Sequence, residues 1–381
     1  MRWDGLRLHD QASEQVTKPG PDQFSSPGAD PGGPVGPAGL VQAPLFGRDA
    51  VARTFDTPGF RGMTFYELHA RSIINKVPEK SRMPFRWTIN PYRGCGHACV
   101  YCFARSTHSY LDLDTGLDFN SKIIVKVNAA DLARKELARP SWTGEHVAMG
   151  TNVDCYQRAE GRYQLMPGII AALRDAANPF SILTKGTLLL RDLDLIADAA
   201  QVTSVALNVS VGFTDAGLSS SVEPGTPTPQ RRLDMCAAIN DRGLRCGVLM
   251  GPVLPYLSDS PDQLDQTVRQ IAQSDAASVT PIVLHLRPGA REWYQAWLSQ
   301  NHPDLVDRYR RLYGNGAYAR KEYQQRISAT VRELAAKHGV GRAAPADARR
   351  ISAPRARPAA DAPVLPSNGT EGTTGVQLAF I

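Results

Sequence analysis

The chain has 381 residues, 42% hydrophobic and 21% charged, an ordinary balance for a soluble enzyme and enough length for one large α/β domain or two smaller ones. No apolar run approaches the ~18 residues that a membrane span needs, and the start, Met1-Arg-Trp-Asp-Gly, lacks the apolar core of a secretory signal; a cytoplasmic protein without a membrane partner is expected. The formal charge of +6 suits a polyanionic substrate such as nucleic acid, although five arginines against three acids beyond residue 341 place part of the excess in a tail.

Residues from about 16 to 45 are rich in Pro, Gly and Ser and cannot bury enough apolar surface to fold. From Arg342 to Gly375 the chain is Ala, Pro, Arg, Gly and Thr, with almost no periodicity. The expected organisation is therefore a largely disordered segment 1–55, a folded domain 56–340, and a disordered tail 341–381. Inside the domain, Lys122–Val127 reads as a strand, followed by a helix over Ala130–Leu137 and a strand at His146–Gly150. Pro167–Ala177, with proline in the first turn, predicts a helix. The strand Ser181–Thr184, the helix Arg191–Ala200 and the strand Val202–Val211 follow. A helix from Pro229 to Asp241 stops at Gly243 and leads into the strand Cys246–Pro252. Ser260-Pro261 opens one more helix, and Ser278–Leu286 closes the series as a strand. Such alternation implies a parallel sheet covered by helices, in a full or partial (β/α) barrel whose chemistry sits at the C-terminal ends of the strands.

Six cysteines, three of them within eight positions, do not form a secreted disulfide framework and point to a metal site in a reducing compartment. Asn90-Pro-Tyr-Arg-Gly-Cys95-Gly-His97-Ala-Cys99-Val-Tyr101-Cys102 contains Cys-x3-Cys-x2-Cys, with an aromatic residue before the third Cys. Three thiolates on one short loop can hold three irons of a cubane cluster. The fourth iron then has no protein ligand, and the open position can take a small molecule through amino and carboxylate groups. Electron transfer into a bound sulfonium would cleave a C–S bond and leave a carbon radical. A structural zinc site is the alternative, with His97 or His108 as fourth ligand. His97 lies between two of the cysteines, a strained position for the same tetrahedron, and zinc ribbons bring their ligands as two separated pairs. The spacing favours the iron–sulfur cluster.

On these residues the sequence resembles the radical S-adenosylmethionine (SAM) superfamily, and within it the branch containing spore photoproduct lyase. The resemblance runs from about Phe65 to Arg310 and includes Ser72-Ile-Ile-Asn-Lys-Val, Leu183-Thr-Lys-Gly, Asn208-Val-Ser-Val, Glu223-Pro-Gly-Thr-Pro-Thr-Pro and Gly247-Val-Leu-Met-Gly-Pro-Val. It implies a partial (β/α) TIM-type barrel with disordered N- and C-terminal tails. It also implies a [4Fe–4S] cluster on Cys95, Cys99 and Cys102, and SAM cleaved to a 5′-deoxyadenosyl radical with electrons from a donor such as flavodoxin or ferredoxin. Position by position, Lys185 would meet the SAM carboxylate, and Ser210 would lie near the methionyl or ribose part. Gly150-Thr151-Asn152 would take the amino group, and Tyr101 would contact the adenine edge through its backbone. Glu223 is a further candidate, with a capping role for the helix near Pro229 as its alternative. Asn152 and Asp154 could instead form an Asx-turn after their strand.

Two positions depart from that branch, which is expected to carry a hydrogen-donor Cys near a Thr-Ser-Asp segment and a Tyr after the third cluster Cys. Thr151 and Phe103 stand there in this chain. A Thr O–H bond is too strong to give up hydrogen readily, and Phe has no phenolic hydrogen, so thymine-dimer repair is not expected. Cys155 could supply a donor from a shifted position or merely fill a turn, while Cys236 and Cys246 read as core. Tyr156, Arg158, Glu160, Tyr163 and the Arg287-Pro-Gly-Ala-Arg segment follow strand ends and could line a substrate mouth. The ending Gln377-Leu-Ala-Phe-Ile381 resembles the peptide by which bacterial repair and replication proteins dock on the sliding clamp; a tail folded back on the barrel is the alternative. A protein of another class, an iron–sulfur or zinc binding adaptor associated with DNA, would share these cysteines without cleaving SAM.

Overall fold

Apolar strands separated by amphipathic helices pair with their successors, and the computed structural model of the chain shows this arrangement, describing residues 41–42, 50–79, 81 and 83–341. The expected tails lie almost entirely outside the described residues, as does the C-terminal peptide Gln377–Ile381. Six strands, β1 (Trp87–Ile89), β2 (Val147–Met149), β3 (Phe180–Thr184), β4 (Val205–Ser210), β5 (Cys246–Val253) and β6 (Val279–Val283), each pair in parallel with the next. An antiparallel strand, Ile74–Lys76, edges β1, and the sheet stops at β6 on the other side, so the barrel is partial. Helices Leu165–Asp175, Leu193–Val202, Pro229–Asp241 and Pro261–Gln273 make the crossovers. The last two begin where the sequence predicts, because Thr228 and Ser260 cap them and Pro229 and Pro261 fill their first turns.

Two expectations are corrected. Lys122–Lys126 is a strand but not a barrel strand: it runs parallel to Thr64–Leu68 in a second sheet, with Val41–Gln42, Val51–Thr54 and Tyr92–Arg93. Its buried Ile123, Ile124 and Val125 give it the same continuous apolar reading as a barrel strand. The true first strand, β1, is only three residues long and shows no period to read. Val51–Thr54 pairs with Thr64–Leu68, so the folded unit takes in residues on the N-terminal side of position 55.

The strand mouths crowd one another closely. Gly150, just after β2, has φ +76°, and a Cβ there would run into the Leu183 carbonyl oxygen of β3. Gly150→Ala is expected to cost about 2 kcal/mol or more, read as a lower urea midpoint; an unchanged midpoint would show that this contact relaxes freely.

Candidate active site

The three cysteines occupy the turn that follows β1. The chain passes through Asn90-Pro91 into Tyr92–Arg93, which pairs antiparallel with Lys122–Lys126, so the second sheet supports the loop from behind. Gly94 takes φ +78°, and a Cβ there would lie 2.8 Å from the Lys122 carbonyl oxygen. Main-chain bonds pin the loop: Cys95 N–H donates to Phe119 O at 2.9 Å, Val100 N–H to Val222 O at 3.0 Å, and Gly225 N–H to His97 O at 3.0 Å. The Gln157 side-chain amide accepts from Gly96 N–H and donates to Gly94 O, both at 2.9 Å. The buried Arg105 guanidinium donates to the carbonyls of Ala98, Cys99, Thr115 and Gly116 and to Asn120 Oδ1, at 2.8–3.4 Å. The rings of Phe119 and Trp293 lie 5.1 and 4.8 Å from it.

Cys95 and Cys99 are buried and Cys102 is half-buried. Burial raises all three thiols, Cys99 to about 12, so loading with metal must displace protons. The charges of Lys185, Arg105 and Arg232 oppose that rise and favour thiolate. Neither histidine completes a tetrahedron. His97 Nδ1 faces Asp154 Oδ2 at 3.4 Å, with burial lowering its pKa to about 4, and His108 Nε2 bonds the Lys122 carbonyl at 3.0 Å. Among the described residues no three His, Cys, Asp or Glu side chains converge on a single ion. Zinc needs such convergence, whereas a cubane takes each thiolate on a different iron. Three thiols of one short loop under cationic side chains fit a cluster better than a zinc ion.

Four of the residues singled out in the sequence meet beside this loop. Lys185, after β3, donates from Nζ to Ser210 Oγ at 2.6 Å, and Ser210, ending β4, donates to Gly251 O of β5 at 2.9 Å. Glu223 lies 3.8 Å from Lys185 Nζ and accepts a short hydrogen bond from the Tyr101 hydroxyl. The Lys185 ammonium sits 5.9 Å from the Tyr101 ring centroid. The capping role for Glu223 is overturned: Thr228 caps the helix from Pro229, and Glu223 is buried in an ion pair with Arg232 at 2.5 Å. Burial alone would raise the Glu223 carboxyl, but Arg232 and Lys185 outweigh it and hold it below the ordinary value. Arg232 also donates to Ser210 O at 2.9 Å, closing the network.

Thr151 and Asn152 stand on the same mouth after Gly150, half-buried, and no hydrogen bond among the described residues joins them to that network. The Asx-turn is formed by Asp154, whose Oδ1 accepts from Tyr156 N–H at 2.9 Å. The same carboxylate accepts from Thr184 Oγ1 at 2.6 Å and Lys185 N–H at 2.7 Å, tying β2 to β3. Cys155, Cys236 and Cys246 are buried. Tyr156, Arg158 and Glu160 are buried as well and line no open mouth; Tyr156 donates to Asp192 and Glu160 pairs with Arg191. Arg232 and Arg105 were missed by sequence reasoning. Arg232 had a signal, an arginine on the helical stripe of Cys236 and Ile239; Arg105 had none beyond its nearness to Cys102. A cavity of about 370 Å³, lined by Asn240, Leu244, Ala276 and Val340, opens at the N-terminal end of the strands, away from the cysteines.

An α/β partial barrel with three cysteines on its first strand loop and a cation-rich mouth defines a class of enzyme that works at a bound metal cluster. The radical SAM superfamily pattern matches residues 89–270. An uncharacterised protein of Mycobacterium tuberculosis is 52% identical over 291 residues, covering 76% of this chain and 86% of its own length. One from Methanocaldococcus jannaschii is 27% identical over 195 residues, 51% of this chain and 69% of its own. A solved spore photoproduct lyase variant has a TM-score of 0.56 at 17% identity, covering 73% of this chain and 80% of that one. Another, with bound AdoMet and dinucleoside spore photoproduct, has a TM-score of 0.55 at 15% identity, covering 72% and 79%. At this identity the likeness shows a shared fold. The chain belongs to the radical SAM superfamily and is an enzyme of that chemistry, which sets the adaptor aside. No described helix is long and apolar enough to cross a membrane.

Proposed function

We propose that the protein holds a [4Fe–4S] cluster on Cys95, Cys99 and Cys102, cleaves SAM reductively against it, and acts on nucleic acid. The observation that carries this reading is the convergence of Tyr101, Lys185, Ser210 and Glu223 on one hydrogen-bonded ridge beside the cysteine loop. When bound, the cluster and SAM supply a reductively cleaved C–S bond and, with it, a hydrogen-abstracting radical. Lys185 offers a mobile cation for the SAM carboxylate, its ammonium exchanging the Ser210 hydroxyl for that group. Glu223 and Arg232 fix the tyrosine ring of Tyr101, which leaves its main chain to face the adenine. Thr151 and Asn152, just after β2, would take the amino group. The net charge of +6 and the dinucleoside in a structure of like fold support a nucleic-acid substrate. Electrons would come from a small carrier such as flavodoxin or ferredoxin, in the reducing cytoplasm that a cluster with an open iron requires.

The test is anaerobic formation of 5′-deoxyadenosine by iron-loaded protein with SAM, a strong reductant and single-stranded DNA or RNA. Wild type is expected to form it and Cys99→Ala to form none. Lys185→Ala should slow it at least about tenfold at unchanged iron content, the worth of one charge-assisted hydrogen bond. Fully loaded wild type that forms no product with either nucleic acid would overturn the reading.

A further inference from the structure

Four of the seven large apolar side chains exposed among the described residues fall on two segments: Phe103 (40% exposed), Tyr110 and Leu117 on the stretch that follows the third cluster cysteine, and Tyr318 (48%) beside the end of β6. Phe103 and Tyr318 are linked by one cation. The Arg287 guanidinium lies 5.7 Å from the Phe103 ring centroid, and it donates to the Tyr318 hydroxyl at 3.3 Å. On its other side Tyr318 meets the His285 ring edge-on, centroids 4.7 Å apart, and a β-bridge between residues 285 and 318 fixes that pair. Among the described residues no carboxylate pairs with Arg287.

Rings left half in water beside an exposed guanidinium that has no ion-pair partner among the described residues suit a planar ring with a negatively charged group attached. A nucleotide unit is such a ligand: its base stacks and its phosphate meets the arginine. A base inside a duplex has both faces covered and cannot reach the rings, so the strand must be single or locally opened. Phe103 follows Cys102 directly, so a base held here sits next to the cluster loop. We infer that Phe103, Arg287 and Tyr318 form a stacking platform that takes an unpaired base of single-stranded nucleic acid. This rests on the nucleic-acid reading above and says where and in what state the strand binds.

The test is fluorescence anisotropy of iron-loaded protein with one labelled mixed-sequence 12-mer, as single-stranded DNA, single-stranded RNA and duplex DNA. Either single strand is expected to bind more tightly than the duplex, and the two single-stranded arms show which sugar is preferred. Phe103→Ala and Tyr318→Ala should each weaken single-strand binding by about five- to a hundredfold, the worth of one stacked base. Phe103→Trp should keep the affinity, and Arg287→Gln should lower both the affinity and its salt dependence. Thermal midpoints and iron content show which variants fold, and the surface variant Arg287→Gln keeps the test open if an alanine variant does not. Wild type that binds single strands while Arg287→Gln and the folded alanine variants match it overturns the platform and leaves the substrate class standing. Equal affinity for duplex and single strand overturns the platform too. Wild type that binds neither overturns the platform and the substrate class together.

Discussion

Arg105→Ala is expected to unfold more easily by about 3–5 kcal/mol and to lose most of its bound iron. One fully buried guanidinium answers four carbonyls and Asn120, two of those carbonyls, Ala98 and Cys99, within the cysteine loop itself. Removing it leaves buried acceptors without donors, each at about 1–3 kcal/mol where water cannot reach, and opens a hole between Phe119 and Trp293. The loop would then hold its thiols in no fixed arrangement. Urea midpoints and iron per chain after anaerobic loading measure the two effects. Arg105→Lys should fall between the extremes, because three donors on one nitrogen cannot span the fork's partners. A variant with wild-type midpoint and iron load would show that Gln157 and the main-chain bonds alone hold the loop.

Arg232→Met is expected to cost about 3–5 kcal/mol, since it strands the Glu223 carboxylate in the interior. The two side chains are 0% and 1% exposed and 2.5 Å apart, and the remaining cation, Lys185, stands 3.8 Å away. Adding Glu223→Gln should recover a large part of that loss, so that the double variant costs well below the sum of the two single variants. Simple additivity in a double-mutant cycle would sink the idea that this pair is the centre of the network. The pH dependence follows from the direction of the shift. Glu223 is held below its ordinary value of 4.5, so its contribution is present above that pH and is lost as pH falls through the lower folded value. The gap between wild type and Arg232→Met should therefore narrow in acid.

Strong local signals carried the reading wherever they existed. The helix Pro229–Asp241 was legible to the residue because Thr228-Pro229 opens it and Gly243 closes it. The five later barrel strands were each found within a few residues, as apolar runs between helices. β1 was missed because three residues between Pro84 and Pro91 carry no period, and Lys122–Lys126 was put in the wrong sheet because its partner, Thr64–Leu68, lies far back in the chain. The site divides the same way. Cys95, Cys99 and Cys102 announce themselves by spacing, and Lys185 and Ser210 by standing at strand ends. The links between elements do not: that Asp154 would reach across to Lys185, 31 residues on, is settled by which strand ends meet, and that Arg232 would turn back to Glu223, nine residues before it, is settled by how the turn between their two helices folds.

The sheet stops at β6 without returning to β1, and this decides how the molecule can yield. Across that seam the cysteine segment and the chain after β6 touch through Trp293 on Arg105, Arg287 on Phe103, and Gly289 against Ser106. No backbone hydrogen bond among the described residues crosses it, so separating the two sides breaks side-chain contacts and leaves every strand ladder whole. A long strand of nucleic acid has no end nearby to thread through a closed ring. For the nucleic-acid substrate proposed above, a ring with one unstitched side would let the strand be laid in sideways, with the chain on both flanks of the chosen nucleotide left outside.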